Sequence, residues 1–194
     1  MKKIYIVLTH TGTILSRLIR QYTKDEFSHC SISLDIDLMK MYSFGRLNPY
    51  NAFYGGFVHE GINIGTFKRF YNTRAKVYSL EVTDEQYVKI EQKIMYIEKN
   101  KNKYNFNYLG LFAAGFNKKL AYKNAFYCSE FVKHVLESSG VVTGLGAIAT
   151  PEDFKHVIGL NEIYNGLLRK YRSSKLNRIK LLKEYFLEYS YIKI

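Results

Sequence analysis

The sequence predicts an α+β domain built on a mostly antiparallel sheet. Three observations carry this reading. A short apolar run opens the chain, several strand-like segments follow within the first half, and the second half is dominated by apolar residues at helical spacing. Over 194 residues the apolar fraction is 47% and the aromatic fraction 16%, enough for a substantial core and unlike a disordered chain.

The elements are expected in the following order. Ile4 to Leu8 reads as a buried strand, and Thr11 to Thr13 turn around Gly12. In "ILSRLIRQYT", Ile14, Leu15, Leu18 and Ile19 fall at helical spacing, with Arg17, Arg20 and Gln21 on the other face. "SHCSISL" alternates with period two, so Cys30, Ile32 and Leu34 share one face and His29, Ser31 and Ser33 the other. After a turn near Asp35 and Asp37, "KMYSFG" is the next strand. "GGFVHEGINIGTF" is glycine-rich and reads as a loop with short strand pieces. "AKVYSLEV" is a further strand, and Thr83 with Gln86 three residues on forms a capping box that opens a helix through about Lys99. "KNKNKYNFNY" reads as a polar loop and "YLGLFAAGF" as a short apolar helix. Cys128 to Ser138 is a helix ended by Gly140, and Thr150 and Pro151 in "TPEDF" start another. From Gly166 the pattern is amphipathic and helical. The organisation expected is a catalytic domain over 1–160 and a basic amphipathic helical segment over 161–194 packed on it.

Charge bears on partners. Lys and Arg number 29 against 17 Asp and Glu, a formal net charge of +12. The excess favours an anionic polymer or lipid surface, met through the basic C-terminal segment "LLRKYRSSKLNRIKLLK". No specific nucleic acid is expected. The tail also places Leu176, Ile179, Leu182 and Phe186 three or four apart, a stripe suited to packing on the domain. No apolar run reaches the length of a membrane span, and "MKKIYIVLTHTG" is too short in its apolar part for a secretory signal, so a cytoplasmic location is expected. Two cysteines make no disulfide framework. "HE" at His59–Glu60 lacks the rest of the zinc-binding pattern and neither cysteine belongs to a CxxC pair, so neither a metal nor a cofactor is expected.

The candidate chemistry rests on "FYCSEFVKHVL" and "EFSHCSISL". Cys128 opens a helix and lies on its apolar stripe with Phe131, Val132, Val135 and Leu136, which points the sulfur toward the protein body. A helix N-terminus favours a thiolate and offers N–H groups to an oxyanion. His134, six residues on, points well off that side. His29 stands on the polar face of its strand, a face suited to a cleft, while Cys30 faces the core. The residues alone leave two readings open: a Cys128–His29 dyad, or an inert buried thiol and a structural histidine.

The stretch "GTILSRLIRQYTKDEFSHCSISLD", a following strand and the late "FYCSE" block resemble the permuted NlpC/papain-like cysteine hydrolases, in particular the YiiX-like group, which includes a poxvirus member. The resemblance covers about Ile4 to Phe154. It implies a circularly permuted papain-like fold in which the histidine precedes the cysteine, with Cys128 as nucleophile and His29 as base. The family's third polar residue lies on the strand after the histidine. The matching position is Ser43, where a Glu or His would be expected, and Glu60 is the alternative if its loop folds back. Tyr127 and Tyr104 are the expected cleft residues. The activity implied is thiol-dependent hydrolysis of a cell-wall-type peptide or related small amide. Two alternatives stand beside it: a lipid acyltransferase or thioesterase of the lecithin retinol acyltransferase type, and a degenerate module that binds without catalysis.

Overall fold

The computed structural model describes residues 1–12, 25–114, 116 and 118–171. The helix expected over Ile14 to Thr23 and the tail stripe from Leu176 to Phe186 lie outside the described residues. The elements are β1 (Lys2–His10), β2 (His29–Ser33), β3 (Met41–Asn48), β4 (Asn51–Glu60), α1 (Gly65–Arg69), β5 (Arg74–Val82), α2 (Asp84–Lys99), β6 (Asn105–Phe106), α3 (Tyr108–Ala114), β7 (Ala125–Phe126), α4 (Cys128–Glu137) and β8 (Leu160–Leu167). Six strands make one sheet in the order β4-β3-β2-β1-β5-β8, with every neighbouring pair antiparallel. The short β6 and β7 pair in parallel beside it. The architecture is α+β with a mostly antiparallel sheet.

β1 is central, and its continuous apolar run follows from that position. Ile4, Ile6 and Leu8 join the core on one face of the sheet, Tyr5 and Val7 the core on the other. The first face is covered by α2, through Ile90, Ile94 and Ile97, and by α4, through Phe131, Val132, Val135 and Leu136. The second is closed by Phe67 of α1 with Leu38, Met41, Leu168 and Tyr171. α2 begins with the expected capping box: Gln86 N–H donates to Thr83 Oγ1 and Thr83 N–H to Gln86 Oε1. Past α4 the chain turns through Gly140, whose φ of 83° suits a residue without a side chain. Among the described residues no helix is long and apolar enough to cross a membrane.

Three expectations are corrected. "GGFVH" is not a loop but the body of the ten-residue strand β4. Its glycines mark close approach: a Cβ at Gly55 would stand 2.7 Å from Tyr108 Oη, and one at Gly56 3.2 Å from Leu47 Cδ1. "TPEDF" forms a short 3₁₀ turn over Glu152–His156, with Thr150 and Asp153 hydrogen-bonded reciprocally at its start, where a longer helix was expected. Residues 161–167, expected to be helical, belong instead to β8, the edge strand paired to β5. After β8, Leu168 and Tyr171 seal the second core, and Tyr171 Oη donates to the Ile36 carbonyl at 2.7 Å. The sheet and its cover therefore run through Tyr171, and residues 172–194 lie outside the described part.

Phe131 ties α4 to the sheet. It is fully buried, with ring centroids 5.3 Å from Phe44 and 5.8 Å from Phe57. Phe131→Ala is expected to cost about 3–5 kcal/mol of stability in urea unfolding, as a large core aromatic does when it leaves a cavity.

Candidate functional site

The site lies where the sheet opens. β2 and β3 keep ladder pairing only at Ile32–Tyr42 and Ser33–Met41. Toward the start of β2 the Cys30 backbone finds side-chain partners instead. Ser43 Oγ donates to the Cys30 carbonyl at 2.7 Å, and the Cys30 N–H hydrogen-bonds the Cys128 sulfur. The start of α4 thus meets the start of β2, and both backbone groups of Cys30 are satisfied by side chains in place of a backbone ladder.

Cys128 is 4% exposed and is the first residue of α4. The helix start is held by Glu130, whose Oε2 accepts from the Tyr127 N–H at 3.2 Å and from Asn107 Nδ2 at 3.2 Å. The apolar stripe of α4 is buried as its spacing requires, and this turns the sulfur toward β2. Ser129 Oγ, also buried, lies 3.7 Å from the sulfur.

His29 stands at the start of β2, with its ring mostly enclosed. Its Nε2 donates to both carboxylate oxygens of Glu60, each at 3.0 Å. Glu60, at the end of β4 and 7% exposed, is fixed from a second side by Ser31 Oγ, which donates to Oε2 at 2.6 Å. Gly45 leaves room for the pair, since a Cβ there would be 3.2 Å from His29 Cε1 and 3.6 Å from Glu60 Oε1. The edge of Phe67 closes the ring's other side at 6.4 Å between centroids.

The proton affinities follow from this packing. Burial works against charge on His29, but the Glu60 carboxylate and hydrogen bonds to Cys128 and Glu60 outweigh it and hold the imidazole up at about 10. Burial also works against a Cys128 thiolate. The hydrogen bond and charge of His29, the Cys30 N–H and the Ser129 hydroxyl outweigh it and bring the thiol below its ordinary value. Cys30, sealed in the core, is pushed well up by burial and by the neighbouring Cys128 and Glu60 charges. The arrangement favours an imidazolium–thiolate pair backed by a carboxylate.

The structure brings together Cys128, His29 and Glu60 and gives the other expected residues different contacts. Ser43 does not orient the imidazole; its hydroxyl is committed to the Cys30 carbonyl. The reason is register: the opening between β2 and β3 leaves that carbonyl for Ser43, while the full length of β4 carries Glu60 to the ring. Tyr127 flanks the cysteine, but its ring is buried; burial pushes its phenol well up and a backbone hydrogen bond from Ala149 holds it. Tyr104 stacks on Phe126 at 5.9 Å and meets Phe44 at 6.4 Å, as part of the aromatic core. His134 lies against Phe126, away from the thiol, as its helical position requires. Ser31 was not singled out by its sequence, although it shares a strand face with His29. Among the described residues no three His, Cys, Asp or Glu side chains gather as a metal site would need. A scan against protein-family models finds no match for the chain, and a search of curated proteins finds no similar sequence.

Three outcomes test this geometry. Ser43→Ala strands a buried carbonyl and is expected to lose about 1–3 kcal/mol in urea unfolding. Because His29 is held above its free value, its contribution to stability is complete below about pH 6.5 and fades as pH rises toward about 10. In Glu60→Gln the imidazole should titrate well below the wild-type midpoint, read from its ring-proton NMR shifts.

Proposed function

We propose that the protein is a thiol hydrolase acting on an amide bond, with Cys128 as nucleophile, His29 as proton carrier and Glu60 as the group that orients and charges His29. The observation that carries this reading is the continuous contact from the Cys128 sulfur through the His29 ring to the Glu60 carboxylate. A structural buried cysteine would show the opposite electrostatics, as Cys30 does.

The chemistry follows from the pair. The Cys128 thiolate attacks the carbonyl carbon, and the developing oxyanion meets the N–H groups of the first turn of α4, which have no acceptor within the helix. The His29 imidazolium gives its proton to the departing amine, and the C–N bond breaks to leave an acyl thioester. The neutral imidazole then takes a proton from water, whose oxygen attacks the thioester and releases the acid and the thiolate. Glu60, accepting from Nε2 throughout, keeps the ring oriented and favours its charged form.

A permuted papain-like arrangement, in which the histidine strand precedes the cysteine helix, fits the same observations. His29 and Glu60 lie on strands before α4, and the helix start packs at the sheet's opening. A cell-wall-type peptide or a small amide is the substrate class we favour.

Iodoacetamide labelling followed by mass spectrometry tests the assignment. Cys128 should react at least about tenfold faster than Cys30 at pH 7, and His29→Ala should remove most of that advantage. Equal labelling of the two cysteines, or Cys30 first, would overturn the reading. Against a panel of amide substrates, Cys128→Ser should fold and show no turnover, and Glu60→Gln should lower kcat with a shifted pH profile.

A further inference from the structure

The molecule carries a large exposed apolar surface that the thiol site does not use. Phe53 is 85% exposed and Tyr50 80%, both at the turn of the β3–β4 hairpin, with Tyr54 beside them. Phe112 is 67% exposed and Leu109 61%; they stand three apart on one side of α3, and Phe116 continues the row with its ring 5.2 Å from that of Phe112. The two parts are joined. Tyr108 at the start of α3 takes a hydrogen bond from the Gly55 backbone in β4, and Gly55 has no side chain to keep them apart. The hairpin turn is braced: the Arg69 guanidinium lies 4.0 Å over the Tyr50 ring, and Arg69 Nη1 donates to the Pro49 carbonyl at 2.6 Å.

The segments that carry this surface are basic in sequence. No acid occurs from Leu38 to His59, nor from Lys99 to Ser129. The same segments supply Arg46, Lys118, Lys119 and Lys123, and the three lysines are exposed.

We infer that this face docks the protein on an anionic lipid surface, with the hairpin and α3 aromatics entering the headgroup layer. Side chains as solvated as Phe53 protrude, whereas a peptide groove would keep its aromatics partly sheltered. A second copy would set one basic face against another. A negatively charged bilayer complements both the apolar tips and the surrounding cations. β3 reaches this hairpin within three residues of Gly45, which lies beside His29, so docking brings the thiol site close to the lipid. The inference does not rest on the proposed hydrolysis.

Co-sedimentation of the full chain with vesicles tests it. At about 0.15 M salt, vesicles of phosphatidylserine with phosphatidylcholine should bind the protein, and pure phosphatidylcholine should bind it much less. The double variant Phe53→Ser/Phe112→Ser should bind the anionic vesicles about tenfold more weakly or worse, with an unchanged urea midpoint and an unchanged Cys128 labelling rate. Lys118→Glu with Lys119→Glu should weaken binding to the anionic vesicles and serves as the second variant if the first does not fold. Wild-type protein that ignores anionic vesicles overturns the inference. So does wild-type binding that both variants retain, which would place lipid contact on the basic tail. Self-association in sedimentation that the double variant abolishes, without vesicle binding, would assign the face to a second copy.

Discussion

The ion pair between His29 and Glu60 is the constraint around which the site is arranged. Two charges held this far from water need close partners, or burial would neutralise them. Glu60 therefore takes two hydrogen bonds from Nε2 and one from Ser31. The space for this is made by Gly45, where a side chain would press on the His29 ring. The remaining partner of the imidazole is the Cys128 sulfur, and its proton affinity falls because the charge of His29 is fixed by Glu60. A carboxylate at the end of one strand thus acts on a thiol at the start of a helix, through a ring on a third element.

The sheet provides the opening this arrangement needs. A continuous ladder between β2 and β3 would occupy the Cys30 N–H and C=O with backbone partners. The ladder stops after two residue pairs, and Ser43 and Cys128 take those two groups. The hydroxyl keeps the carbonyl satisfied, and the thiol gains a backbone donor that favours its anion. The two cysteines of the chain meet here with opposite characters. Cys30 contributes its backbone to the site and its side chain to the core, while Cys128 contributes its sulfur.

The hairpin and α3 show a different use of glycine. Gly55 and Gly56 sit inside β4, where Tyr108 and Leu47 come too close for a side chain. The Tyr108 contact fastens α3 to the outer strand and leaves the side of α3 that carries Leu109 and Phe112 in solvent. The exposed aromatics are thus held on ordered elements. The strand that carries Glu60 into the site also carries part of this surface.

What the sequence determined by itself was local in origin. Period-two alternation settled which face His29 takes and which Cys30 takes, because successive strand residues must point apart. The capping box settled the start of α2, and the apolar spacing after Cys128 settled the direction of its sulfur. What only the tertiary structure decided was which polar groups meet across elements. Ser43 and Glu60 are both polar residues downstream of His29, and nothing within their own segments tells them apart. The opening between β2 and β3 commits Ser43 to a carbonyl, and the register of β4 brings Glu60 to the ring. Gly55 was ambiguous for the same reason, since glycine marks either a turn or a close neighbour, and the neighbour, Tyr108, lies about fifty residues away in α3. β8 was hidden as well: an edge strand with one exposed side carries a weak apolar pattern, and only its pairing with β5 makes it a strand.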